Sequence, residues 1–158
     1  MRATTMKKLF CNTRLLLALA VALLLSATAH ANTPGITGPA FTLTANAEYM
    51  TQPDGAAIYS WGYGCNGAPA GHLPSNLTTT FFCSSMQVPG PTLIVTQNQT
   101  VTITLTNNLP TAAGNTSILF PGFQVTTTGG VAGLLTQEAA HNGTVTYTFQ
   151  ATTPGTHS

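Results

Sequence analysis

The chain has 158 residues, of which 43% are apolar and only 4% charged, against about 25% charged in an ordinary soluble domain. Every base, namely Arg2, Lys7, Lys8 and Arg14, lies before residue 15, so residues 32–158 carry Glu48, Asp54 and Glu138 with no Lys or Arg at all. That composition excludes nucleic-acid binding by phosphate neutralisation, P-loop phosphate handling and attraction to an anionic membrane.

Residues 1–31 read as a signal peptide. The basic residues lead into an apolar run over 15–25, and Ala29-His30-Ala31 supplies the small-x-small pattern of a cleavage site. The run is well short of the ~20 residues that span a bilayer. The expectation is an exported protein, periplasmic or extracellular, with no membrane anchor after cleavage and a single domain over 32–158.

Beyond the leader the sequence alternates strands with turn-formers and shows no helical period. Phe41, Leu43, Ala45, Ala47 and Tyr49 fall on one face, with Thr42, Thr44, Asn46 and Glu48 on the other. Residues 58–61 form a short apolar run that suits a strand covered on both faces. Trp61 is expected in the core beside a disulfide, and Trp61 with Tyr63 as a binding platform is the competing reading. Residues 62–80 are rich in Gly, Pro and Asn and read as a long loop. Cys65 and Cys83 flank most of it and are expected to form a disulfide, which would stabilise an exported chain by about 3 kcal/mol. The competing reading is a type 1 copper site with Cys83, Met86 and His72, but no His lies between Cys83 and Met86 as that ligand order requires.

Farther on, Leu93-Ile94-Val95 and Ile118-Leu119-Phe120 predict short strands. Val101, Ile103 and Leu105 alternate with Thr100, Thr102, Thr104 and Thr106. Val145, Tyr147 and Phe149 alternate with Thr144, Thr146 and Thr148. Strict alternation with Thr outward predicts half-buried antiparallel strands, because a β-branched side chain favours extended backbone while its hydroxyl meets water. Pro53-Asp54-Gly55, Pro89-Gly90-Pro91, Asn107-Asn108, Pro121-Gly122, Gly129-Gly130, Asn142-Gly143 and Pro154-Gly155 punctuate the strands. The predicted fold is an all-β Greek-key β-sandwich.

His72 and His141 are expected as solvated loop histidines. A Ser/His/Asp triad has no spacing signature here. Glu48 and Glu138 are not supported as a glycosidase pair, since Glu48 falls on the polar face of its strand. Asn76, Asn98, Asn115 and Asn142 each open an N-x-[ST] sequon, a match that arises readily by chance in a Thr-rich chain.

Residues 88–158 resemble the N-terminal plastocyanin-like (cupredoxin) domain of multicopper oxidases. The resemblance rests on Pro89-Gly90-Pro91-Thr92-Leu93 and on Val101-Thr102-Ile103-Thr104-Leu105-Thr106-Asn107-Asn108-Leu109-Pro110. It continues through Thr116-Ser117-Ile118-Leu119-Phe120-Pro121-Gly122, Gly129-Gly130-Val131-Ala132-Gly133-Leu134, Thr146-Tyr147-Thr148-Phe149 and Pro154-Gly155-Thr156. The resemblance implies a cupredoxin-like sandwich and, in the parent family, copper and dioxygen-coupled oxidation of a substrate. It also implies a His-x-His pair where this chain has Leu119-Phe120-Pro121, so neither ligand is present. A second pair would come after the Pro-Gly-Thr turn, and the sequence ends at His157-Ser158.

The expectation is therefore a cupredoxin-like domain over 32–158, incomplete at its C-terminus, with no catalytic, cofactor-binding or metal-ligating residue of its own and no copper bound. The remaining cupredoxin domains of a multicopper oxidase are the expected partners, together with self-association through an open sheet edge. The alternative is a small secreted metal-free binding or adhesion module. A free-standing electron-transfer cupredoxin would need a His-Cys-His-Met set that the chain lacks.

Overall fold

The computed structural model describes residues 34–75, 83 and 85–158. The predicted leader lies outside the described residues, as does Asn76. The described residues belong to one compact unit, and among them no helix is long and apolar enough to cross a membrane.

The fold is the all-β sandwich that the alternation predicts. Among the described residues ten strands follow in chain order: β1 (Gly35–Thr37), β2 (Ala40–Thr51), β3 (Ala57–Cys65), β4 (His72–Leu73), β5 (Leu93–Ile94), β6 (Thr100–Asn107), β7 (Thr126–Gly129), β8 (Val131–Ala132), β9 (Gln137–Glu138) and β10 (Thr144–Gln150). A five-stranded sheet has the order β3-β2-β6-β10-β7, a smaller one the order β4-β1-β5, and β8 pairs with β9.

Cross-strand register explains the core. β2 runs parallel to β6, setting Phe41 beside Ile103 and Leu43 beside Leu105. β10 runs antiparallel to β6, setting Tyr147 beside Ile103, Val145 beside Leu105 and Phe149 beside Val101. Two apolar rows result, Phe41-Ile103-Tyr147 and Leu43-Leu105-Val145, all buried. Ile36 of the small sheet joins them, with Leu93, Val95, Ile118, Phe120, Phe123 and Val125 packed around. On the outer face the threonines form ladders, with Thr104 and Thr146 hydroxyls 3.2 Å apart. Each such cross-strand pair adds a few tenths of a kcal/mol to about 1 kcal/mol.

Four expectations change. The β2–β6 pairing is parallel, because the chain crosses between layers before returning beside β2. Tyr49 has the inward parity but is 72% exposed, since β2 outruns the sheet that covers it. The run over 58–61 is an exposed edge strand, and Trp61 is 50% exposed rather than core. The loop over 62–80 is shorter than predicted: β3 extends to Cys65, and His72 lies on β4.

Candidate functional site

The stretch from Thr116 to Pro121 holds the positions where the resemblance places copper ligands. It is not the strand predicted over 118–120. Thr116 makes an isolated antiparallel bridge with Ala139, and two phenols hold the backbone on either side of Ser117. Tyr63 Oη lies 2.9 Å from Thr116 Oγ1 and donates to Ser117 O at 3.0 Å. Tyr147 Oη accepts from Ile118 N at 3.2 Å and donates to Gln137 O at 2.9 Å. Burial pushes the Tyr147 phenol above its ordinary value, outweighing the opposing bond from Ile118 N–H; the Tyr63 and Glu138 charges add to the rise.

This tether sets the packing of the side chains around it. Phe120 meets Tyr147 edge-on at 5.5 Å between ring centroids and Phe149 at 4.9 Å. Phe123 lies 4.9 Å from Phe149, and His157 meets Phe123 at 4.6 Å. Leu119 points outward, 51% exposed, and Pro121 is exposed. Carbon side chains at 119 and 121 offer no lone pairs, and the ring between them is engaged in the core.

The remaining donors are distributed elsewhere. Cys65 and Cys83 are joined to each other, Cα to Cα 5.2 Å, as the cysteine count predicts, and both are buried. Met86 is buried as well.

His141 is exposed but bonded, a departure from the solvated histidine expected. Its Nδ1 donates to Leu109 O at 2.8 Å, which leaves Nε2 to accept from Asn142 Nδ2 at 3.0 Å and from Thr111 Oγ1 at 3.3 Å. His72 also departs from that expectation, with a buried Nδ1 that has no hydrogen-bond partner. His157 Nε2 donates to Thr153 O at 3.2 Å. Glu48 is exposed on the outer face as predicted, where its carboxylate accepts from Ser85 Oγ. No group of three His, Cys, Asp or Glu assembles among the described residues. Among the described residues the donors therefore do not come together as the imidazoles, thiolate and thioether of a type 1 copper centre.

Pattern reading alone missed the organising residue of this end of the sandwich, Asn107. It is fully buried. Its Nδ2 donates to Gly114 O at 3.0 Å and to Ala139 O at 2.9 Å, and its Oδ1 accepts from Leu109 N at 3.1 Å. Its main chain bonds Gly143 O and Asn142 N. An Asn at the end of an alternating strand, followed by Asn-Leu-Pro, is the signal that could have found it.

A family profile described as multicopper oxidase matches residues 71–158, more than half of the chain. No curated protein and no solved structure matches it. The matched segment contains β6, β10, the Asn107 hub and the tethered stretch at 116–121, and the chain belongs to the multicopper oxidase family.

Proposed function

We propose that this chain is the N-terminal plastocyanin-like domain of an exported multicopper oxidase, contributing scaffold and interdomain surface rather than copper ligands. The observation that carries the reading is the coincidence of the family match with a cupredoxin-like sandwich in which Leu119, Phe120 and Pro121 stand at the ligand positions. Redox chemistry in this reading belongs to the other domains of the protein, and no catalytic step is assigned to residues of this chain. The basic, then apolar leader and the Cys65–Cys83 bond support export to an oxidising compartment. The small covering sheet, built of strands of two and three residues, supports the expectation that strands beyond those described complete it. Family membership favours this reading over a metal-free adhesion module.

Elemental analysis of the purified exported chain, dialysed against a chelator, tests the copper claim. Well under one copper per chain and no intense blue colour are expected; stoichiometric copper that survives dialysis overturns it. Intact mass before and after reduction and alkylation tests export. A chain beginning near Asn32 with no free thiol is expected, and two freely alkylated thiols refute it.

A further inference from the structure

The geometry points to a second copy of this chain as the partner of β3, joined edge to edge so that two five-stranded sheets become one continuous sheet across a two-fold axis at Tyr59. β3 is the outer strand of its sheet, nine residues long and without charge or proline. Tyr63 O accepts from Gln87 N at 3.1 Å, so the main-chain groups of the odd-numbered residues point away from β2. Continued past Gln87, that antiparallel run would set Pro89 opposite Trp61, and proline has no N–H to give. Among the described residues no segment pairs with the edge over 57–61. Natural edges are usually blunted by Lys, Pro, a bulge or a covering element. Among the described residues, this one has none of these over 57–61.

The side chains are self-complementary in one register. With Tyr59 opposite its own copy, Ala57 faces Trp61 of the second copy, small against large, on the face that also carries Tyr49. Ile58 faces Ser60 on the other side. The pairing makes about six new main-chain hydrogen bonds. Ile58, Tyr59 and Trp61 are each about half exposed, and Tyr49, in ring contact with Tyr59 at 5.3 Å, more so. At about 200 Å² per aromatic side chain these residues offer on the order of 400 Å² per protomer. A total near 800 Å² is roughly the size of a weak, concentration-dependent dimer. No charge on β3 opposes the approach. The inference does not depend on the copper reading, since it uses none of residues 107–158.

Sedimentation of the purified exported chain should show reversible monomer–dimer exchange. Tyr59→Lys, which sets like charges face to face, should weaken it at least tenfold while leaving the melting temperature of the monomer unchanged. An equimolar mixture of Tyr59→Lys and Tyr59→Glu should restore it. Mild oxidation should cross-link Tyr59→Cys, whose paired Cα atoms would lie about 5.5 Å apart. Trp61→Cys alone should stay uncross-linked, its copies being about 14 Å apart, whereas the double variant Ala57→Cys/Trp61→Cys should cross-link. A chain that remains monomeric up to about 300 µM, or a dimer indifferent to Tyr59→Lys, overturns the inference. So does a dimer in which Trp61→Cys cross-links and Tyr59→Cys does not.

Discussion

Asn107 is the place where one substitution should do the most damage. In Asn107→Ala the buried Leu109 N–H loses its acceptor, and an orphaned buried donor costs about 1–3 kcal/mol. Ala139 O keeps the bond from Thr116 N, and Gly114 lies at an exposed position where water can replace the amide. Those two losses add about 1 kcal/mol between them. The expected destabilisation is therefore about 2–4 kcal/mol, or roughly 8–15 °C in melting temperature for a domain of this size.

Asn107→Asp sharpens the test. It preserves the acceptor for Leu109 N–H but turns an oxygen toward the carbonyls of Gly114 and Ala139. Burial against two carbonyl oxygens favours the protonated acid and raises its folded pKa above the unfolded value of about 3.9. A raised pKa means that the stabilising contribution is present below about pH 4 and is lost as pH rises through the folded value. Urea unfolding at about pH 4 and pH 7 should therefore show Asn107→Asp approaching wild type in acid and falling behind it at neutrality, while Asn107→Ala shows no such recovery. If Asn107→Ala stays within about 0.5 kcal/mol of wild type, the hub argument is wrong.

Neighbouring residues give two further expected outcomes. Because burial raises the Tyr147 phenol, its contribution is intact below the unfolded value near 10 and is lost as pH rises through the folded one. Unfolding monitored from about pH 8 to 11 should show an alkaline loss of stability that Tyr147→Phe reduces, at a neutral-pH cost of about 1–3 kcal/mol for the unpartnered Ile118 N–H and Gln137 O; an unchanged alkaline profile would count against it. Gly130 and Gly55 both have positive φ, at +73° and +86°, but only at Gly130 would a Cβ meet backbone, Glu138 O at 2.6 Å. Gly130→Ala should therefore cost at least about 2 kcal/mol and Gly55→Ala about 1, and equal losses in urea titrations would show that the close approach is irrelevant.

Strand parity was legible because burial of one face imposes a period of two, and eight of the nine large side chains assigned inward are buried. Parity reports a face, however, and not how far the cover extends, which is why Tyr49 has the inward parity and is exposed. The run over 58–61 misled for a related reason: an uncharged apolar strand looks the same whether a sheet covers it or a second chain could. The parallel pairing of β2 with β6 rests on contacts about 60 positions apart in sequence and leaves no local trace. Residues 118–120 are apolar enough for a strand, yet their backbone is positioned by hydroxyls from Tyr63 and Tyr147, distant side chains that no window over the segment contains. Asn107 was visible as a motif residue, but its three side-chain bonds were not.

The residues that carry the family resemblance and those that would carry its chemistry part company in this chain for a physical reason. Asn107, Gly129 and Gly130 answer backbone demands: a buried carbonyl to satisfy, a left-handed φ, a neighbouring strand too close for a Cβ. Such demands do not depend on a bound metal. A carbon side chain at 119–121 makes no such demand and can serve the core. Phe120 does so, packed edge-on to Tyr147 and tilted against Phe149 while Leu119 and Pro121 are exposed on either side. Histidines placed at 119 and 121 would set imidazoles on a segment whose backbone is held by two phenols and whose central ring is anchored in the sandwich. The stretch at 116–121 thus serves packing: its backbone is held by hydroxyls from Tyr63 and Tyr147, and its Phe120 ring sits against those of the core.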